Sequence, residues 1–564
     1  SGLPVVHPYH GARVQIDTPL DFLVVSDHAE FMGVVKHVYE DWVPTEGMGV
    51  IDTLYAWVSA LVIKAGVDSS WGPLLFGSRL PDGEDPKAAA ERVQREGFKM
   101  GGIPPLPEVT RATWYDATAA ADAANAPGEF TALIGWEWSS NGGGANLHRI
   151  VITDSGAEQA REYLPYSFLD SSFPEDLWAW LDETSAGTGA DFIAIPHNSN
   201  ISKGYMFDTQ SLRGAALSPD YVAARMRWEQ VAEVTQIKGD SETHPALSPD
   251  DPFADFETFP YYIQRDRSGY VASRSDYIRP ALGLGLEIER ELGQNPYQFG
   301  LIGSSDAHGG LAGAEEDNFH GKFAMDSVPA NKQGLDEVED VDAPTGWDMS
   351  ASGLAAVWAE ENTREAVVAA LKRREVYATS GPRIGVRFFA GTGYDEAMLD
   401  SADLYRHAMA SGVPMGGELE GALEASPDFL ILAEKEADGA NLDRIQVIKG
   451  WLDESGKCQE QVFDVAWSGD RKPGADGVLP PVGNTVEPAT ARYSTEIGAA
   501  RLAVRWQDPQ FDPLQPAFYY VRVLQIPTPR HSLYDAVALQ LDISGDFPSS
   551  IQERAYTSPI WYRP

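Results

Sequence analysis

Short, nearly unbroken apolar runs recur along the chain as far as Pro382. They are Phe22–Val25, Thr131–Trp136, Phe192–Ile195, Val231–Val234 and Phe299–Gly303. Continuous apolar runs, rather than strict alternation, suit strands buried on both faces of a parallel sheet. Helical patterns separate them. Pro174, Glu175 and Asp176 open a stripe of Leu177, Trp178 and Leu181, and proline with acids in a first turn is a start signal. A second helix is predicted over Tyr277–Leu292, stopped by Gly293. A third runs over Asn362–Arg374, with Asn362 as N-cap and Glu365 three residues on. Alternating strands and helices predict an α/β barrel or an open α/β sheet.

The pattern changes after Gly381-Pro382. Ile384–Phe389, Asp428–Ala433, Ile445–Lys449, Ala503–Trp506 and Ala517–Leu524 read as strands punctuated by Gly, Pro, Asp and Asn. An antiparallel, β-rich region is expected there. Residues 309–350 are acidic, rich in Gly and Ala, and weakly periodic, as in a long functional loop. No internal repeat or low-complexity tract is visible.

The 564 residues and 23% charged content fit a globular chain of several domains or one large barrel with an appendage. The formal net charge of −41 repels phosphate backbones and anionic membranes, so a nucleic-acid partner is not expected. A single cysteine, Cys458, excludes an intrachain disulfide and any zinc site built on several thiolates. Cys458 reads as structural. The apolar stretches Phe22–Val25 and Ala194–Pro196 fall far short of the ~20 residues of a membrane helix, so no transmembrane segment is expected. No secretory signal is visible, and the Ser1-Gly2 start suggests a processed, tagged or truncated end. The compartment is left open, with a periplasmic or secreted setting favoured over the cytoplasm. Oligomeric state is not readable.

Four of the five runs lead into residues of one chemical kind. The first reaches Asp27-His28, the second Glu137, the third His197-Asn198 and the last Asp306-Ala307-His308. Parallel α/β folds carry their chemistry at the carboxyl ends of the strands. Asp306 and His308 share a side on extended chain, whereas only one of Asp27 and His28 can follow the strand face. His148 opens a further β-branched run, Ile150–Ile152. Histidine nitrogens and carboxylate oxygens are ligands for zinc, manganese or iron. Three histidines and three carboxylates gathered this way can hold two ions. A lone histidine at a strand end is more often hydrogen-bonded structure; the joint occurrence is what favours a metal site. Arg149, Asn198 and Lys203 stand beside these positions as candidate binders of an anionic substrate. No nucleophile elbow, P-loop or dinucleotide fingerprint is present. Gly283-Leu284-Gly285 lies in a helical stretch and reads as packing.

Several motifs together resemble a known family. They are Ser26-Asp27-His28-Ala29-Glu30, Gly135-Trp136-Glu137-Trp138, Asn146-Leu147-His148-Arg149, Ile195-Pro196-His197-Asn198 and Gly303-Ser304-Ser305-Asp306-Ala307-His308. Further matches are Val357–Glu365, Ala378–Arg383 and the closing Arg554–Trp561. Over essentially the whole chain they resemble the family catalogued as domain of unknown function 3604, related to the polymerase and histidinol phosphatase (PHP) superfamily. The resemblance implies a distorted (β/α)7 barrel over residues 1–383 and a β-rich domain over 384–564. It implies two or three divalent ions (Mn, Zn or Fe), with Asp27 or His28, Glu137, His197, Asp306 and His308 at ligand positions. It implies hydrolysis by a metal-activated water, most often of phosphoesters. Asp306 or His148 would move the proton, and Arg149 would act beside them. Sulfate esters, carboxylic esters, lactones or amides are the alternative substrates. The His-x-His that opens family members has no counterpart, since His7 and His10 are spaced wrongly. The first barrel strand is therefore expected to be missing, and a non-catalytic binding protein is the third reading.

Overall fold

The computed structural model describes residues 2–43, 45–68, 84–98, 103, 105–262, 269–333, 344–421, 423–475, 477–542 and 547–564. Its first sheet has the order β1 (Phe22–Val25), β2 (Thr131–Trp138), β3 (Arg149–Thr153) and β4 (Phe192–Pro196). β1 and β2 run parallel, while β3 is antiparallel to both of its neighbours. This departs from the wholly parallel arrangement read from the apolar runs. A short Gly-rich connection (Gly142–Gly144) folds the chain straight back after β2, and a short return permits only an antiparallel neighbour. β5 (Val231–Gln236) and β6 (Gly300–Gly303) pair in parallel in a second sheet, with Gly239–Asp240 on the far edge of β5. Among the described residues, hydrogen bonds do not close these sheets on each other.

Helices cover the strands. In chain order they are α1 (Val34–Glu40), α2 (Val50–Asp68), α3 (Pro86–Glu96), α4 (Pro107–Ala124), α5 (Pro174–Thr188), α6 (Pro219–Trp228), α7 (Ile278–Leu292) and α8 (Arg364–Lys372). α5 begins at Pro174 and buries Leu177, Trp178 and Leu181, the stripe read from sequence. α7 ends on left-handed Gly293. α8 is capped by Thr363, whose side chain accepts from the Ala366 N–H, and not by Asn362. Asn362 instead ties β2 to this corner by accepting from the Thr131 hydroxyl, 2.7 Å away. α2 bears on the membrane expectation by length and composition alone. Among the described residues, Val50–Val67 is the one stretch of helix long and apolar enough to cross a membrane by length and composition. Asp52, Thr53, Ser59 and Lys64 break its apolar run, so run length alone did not reveal it.

The large sheet starts with β7 (Leu354–Val357) and β8 (Val376–Thr379). The four-stranded sheet beyond it contains β9 (Gly385–Gly391), β10 (Asp428–Glu434) and, further along the chain, Arg501–Gln507. β11 (Leu442–Leu452), β12 (Cys458–Trp467), β13 (Ala517–Gln525) and β14 (Arg554–Thr557) continue the large sheet in the order β7-β8-β14-β13-β11-β12, and Ile560–Arg563 pairs with β13 and with Glu418–Glu420 off this path. All five strands expected after Pro382 are present. β8 hydrogen-bonds to β14, so one sheet spans position 383. Gly283 of α7 shows how closely helix and sheet meet: a Cβ there would stand 2.6 Å from Cys458 Sγ. Burial pushes the Cys458 thiol up to about 12, consistent with a packing role.

Candidate functional site

The ends of β1, β2, β4 and β6, with the start of β3, bring one carboxylate and four imidazoles together. Glu137 is the hub. It lies one residue before the end of β2 and is buried. Its Oε1 is 2.5 Å from His148 Nδ1 and 3.2 Å from His197 Nε2; its Oε2 is 3.6 Å from His28 Nε2. Ligand atoms of Glu137, His148 and His197 all lie within 4.8 Å of one another. The imidazoles form a row, His308–His28–His148–His197, with ring centres 5.5, 5.7 and 5.5 Å apart. His28 and His308 are partly exposed, His148 and His197 buried. The site therefore opens at one end and is closed at the other.

Each ring is held by its own element. His28 follows β1 and forms a parallel bridge with Glu137; its Nδ1 contacts the Ser139 hydroxyl and lies 3.0 Å from Glu30 Oε1. His148 Nε2 is 2.6 Å from Asn141 Oδ1, which fixes its ring plane. His308 Nδ1 is 2.8 Å from the carbonyl of Asp306. The backbones of Asn198 and Asp306 are left-handed (φ 53° and 47°), a conformation Asn and Asp tolerate better than most residues. Both lie just past the end of a strand, where the chain must turn at once.

One carboxylate cannot balance three imidazoliums, and the electrostatics divide accordingly. Burial alone would lower His28, but Glu137 and Glu30 outweigh it and hold the ring up at about 9. Burial opposes the charged form of His197 too, and Glu137 reverses the shift upward. At His148 burial wins over Glu137 and lowers the ring to about 4. Burial would raise Glu137, yet His28, His197 and His148 together hold it well below the usual carboxylate range. The resting cluster is thus a buried carboxylate, a neutral imidazole and imidazoles that need a compensating charge.

A divalent cation would take the place of the ring protons, leaving neutral imidazoles beside the Glu137 carboxylate, and the donors fit one. Glu137 is anionic and His148 neutral, the forms that ligate. His197 Nδ1 has no hydrogen-bond partner among the described residues despite complete burial, and Nε2 faces only Glu137 Oε1 at 3.2 Å. Buried polar atoms are ordinarily satisfied. Two nitrogens and one carboxylate oxygen suit Zn, Mn or Fe.

Other expected site residues are placed differently. Asp27 is exposed, because His28 takes the inward direction at the end of β1, and its carboxylate stays outside the cluster. Arg149 is buried on the opposite side of β3 from His148. Its Nε donates to Glu229 Oε1 at 2.9 Å, and its guanidinium lies over Trp138. Arg149 is therefore engaged in a core ion pair with Glu229. Lys203 Nζ donates to the Gly143 carbonyl at 2.7 Å. Asn198 is buried with both side-chain polar atoms unpartnered among the described residues. Asp306 accepts from two ammoniums at one oxygen, those of Lys238 and Lys322, the latter at 3.1 Å.

Sequence reading missed Glu30, Glu233, Lys238 and Lys322. Glu30 is the last residue of the Asp-His motif. Glu233 is the single acid inside the apolar run of β5, and burial pushes its carboxyl up to about 7. An acid within a buried strand was a readable signal. The two lysines are isolated in loops and gave none.

The family described as Protein of unknown function (DUF3604) matches residues 1–564. The chain belongs to this family. No curated protein and no solved structure matches it. Membership brings a sequence pattern and no recorded activity, so the chemistry rests on the cluster itself.

Proposed function

We propose that this DUF3604 chain is a metal-dependent hydrolase of the PHP type, acting on phosphoesters, with its N-terminal strands arranged as a distorted (β/α)7 barrel. One observation carries the reading: Glu137, His148 and His197 converge in a buried site where His197 Nε2 faces the Glu137 carboxylate and its Nδ1 lacks a hydrogen-bond partner among the described residues. These three residues would hold the ion. A bound divalent ion supplies Lewis acidity toward a water and an ester oxygen. Asn141 fixes the ring plane of His148. Ser139 and Glu30 fix His28, which stands at the open end with His308 where a proton can be exchanged with solvent. Burial of Trp136, Trp138 and Ile195 behind the cluster excludes water from its closed end.

The test combines metal content with a substrate panel. Protein loaded with Mn²⁺, Zn²⁺ or Fe²⁺ is passed through a desalting column, and metal per chain is measured by mass spectrometry. Wild type is expected to retain metal and E137Q to lose it. Phosphomonoesters, phosphodiesters, sulfate esters, carboxylic esters and lactones are then compared with and without chelator. Chelator-sensitive turnover of a phosphoester, absent in E137Q, supports the reading. Chelator-sensitive turnover of another ester class alone moves the substrate assignment. No retained metal, or turnover indifferent to E137Q, overturns the proposal.

A further inference from the structure

We propose that Lys238 and Lys322 form an anion subsite, which takes the tetrahedral oxyanion of a phospho or sulfo ester beside the metal cluster. The inference rests on the hydrolase reading and adds the recognition element that reading lacks, since Arg149 is committed to Glu229.

The two lysines reach one point from different parts of the chain. Lys238 sits in the tight turn between β5 and Gly239–Asp240. Its backbone is fixed at both ends: its N–H donates to Gln236 Oε1 at 2.7 Å, and its carbonyl accepts from Asn200 Nδ2 at 3.0 Å. Lys322 belongs to the long segment after β6, and its carbonyl accepts from the His308 N–H at 2.7 Å. Both side chains are nearly buried, at 14% and 10% exposure, and both ammoniums meet Asp306 Oδ2.

Charge and donor count make this more than a structural ion pair. A single carboxylate balances one ammonium, and burying a second beside it is costly without a further counter-charge. Each ammonium carries three donors. Among the described residues each meets Asp306 and the two heads meet each other; burial, with Lys238 beside it, lowers Lys322 to about 7. Lys238 and Lys322 also act electrostatically on His308, and Lys238 feels the Glu137 carboxylate, so the pair borders the row of imidazoles. Glu30 and Glu233 border the cluster as well, so the excess of positive charge is local to the two lysine heads that share Asp306 Oδ2. The missing partner is an anion with several acceptor oxygens, bound where His28 and His308 leave the site open. In a chain of net charge −41, such a local excess of positive charge is the feature that would admit an anion at all. Asp306 is then a positioning residue, holding both ammoniums until the oxyanion displaces it.

The experiment is isothermal titration of inorganic phosphate and, separately, inorganic sulfate into the full chain loaded with Mn²⁺. Wild type, K238M, K322M and the milder K238Q and K322Q are compared, each first checked for its far-UV spectrum and retained Mn²⁺. Each lysine variant is expected to bind the anion about tenfold more weakly while retaining Mn²⁺. K238R and K322R are expected to recover most of the loss. The tighter of phosphate and sulfate names the ester class. Unchanged anion affinity in K238Q and K322Q, or no anion binding by wild type, overturns the inference. If wild type retains no Mn²⁺, the hydrolase reading fails, and the same titrations on the metal-free chain still decide the lysine subsite.

Discussion

Glu137 Oε1 lies 2.5 Å from His148 Nδ1, at the point where β2 turns back into antiparallel β3. The pairing follows from the sheet. Glu137 sits opposite Ile150, so the residue just ahead of β3 on the returning chain is carried to the same face. A charge-assisted contact of this length fixes the imidazole, and His197 approaches the same oxygen. Replacing Glu137 by Gln keeps the shape and removes the charge. E137Q is expected to retain metal at least about a hundredfold more weakly than wild type. Equilibrium dialysis against Mn²⁺ or Zn²⁺ measures it, and equal affinity of the two proteins would remove Glu137 from the centre.

Asp27 gives the opposite expectation. Its side chain is exposed at the end of β1 while its neighbour His28 reaches the cluster. D27N is expected to leave metal content unchanged, whereas H28A perturbs it. A D27N protein that loses metal on desalting would show that the Asp27 carboxylate turns inward on loading.

The contrast between these neighbours shows what was readable in the chain and what was not. The apolar runs located β1, β2, β4, β5 and β6, because strands buried on both faces leave an unbroken hydrophobic signature. They also located Glu137, His197 and His308, because strand ends are marked by the polar residue that follows. Strand direction was not marked. β3 is as β-branched as its neighbours, and only the short connection over residues 139–148, turned at Gly142–Gly144, sets it antiparallel. Facing was not marked at Asp27-His28, where two ligand types compete for one direction. Nor were distant partners: Lys322 meets Asp306 across 16 positions and Lys238 across 68. No local pattern records such pairings. Arg149 stood beside a site histidine in sequence yet faces the other side of β3, as alternation along a strand requires.

Arg149 should therefore act on stability. Arg149 and Glu229 are both almost fully buried, and Glu229 also meets Arg225 at 2.9 Å and the Trp178 indole N–H at 2.9 Å. R149M leaves Glu229 paired with Arg225 but loses the hydrogen bonds of Arg149 to Glu229 and the Leu147 carbonyl and its packing over Trp138. It is expected to lower unfolding free energy by about 2 kcal/mol. Phosphate and sulfate affinity of the folded protein should be unaffected. Urea denaturation followed by tryptophan fluorescence measures the first. A variant of wild-type stability with weakened anion binding would return Arg149 to the substrate site.

Acid should unlock the junction between the two halves of the chain. Glu242, just beyond Gly239–Asp240, accepts from Arg279 of α7 at 2.6 Å and from Arg522 of β13 at 2.9 Å; Asp251 accepts from the Nη2 of each guanidinium at 2.8 Å. Burial alone would raise Glu242, but Arg522 and Arg279 outweigh it and hold the carboxyl down at about 2, from a usual 4.5. A carboxyl whose folded pKa is depressed binds its proton more readily when unfolded. Its contribution is complete above pH 4.5 and fades as the pH falls from there toward 2. E242Q lacks this contribution at every pH. It should be less stable than wild type at pH 7, and the gap between the two should narrow on acidification through that window. Loss of net negative charge near the isoelectric point affects both proteins alike, so it cancels in the difference. Urea midpoints at pH 7, 5, 4 and 3 give the gap directly. Parallel profiles for wild type and E242Q would show that the arginines do not hold Glu242 ionised.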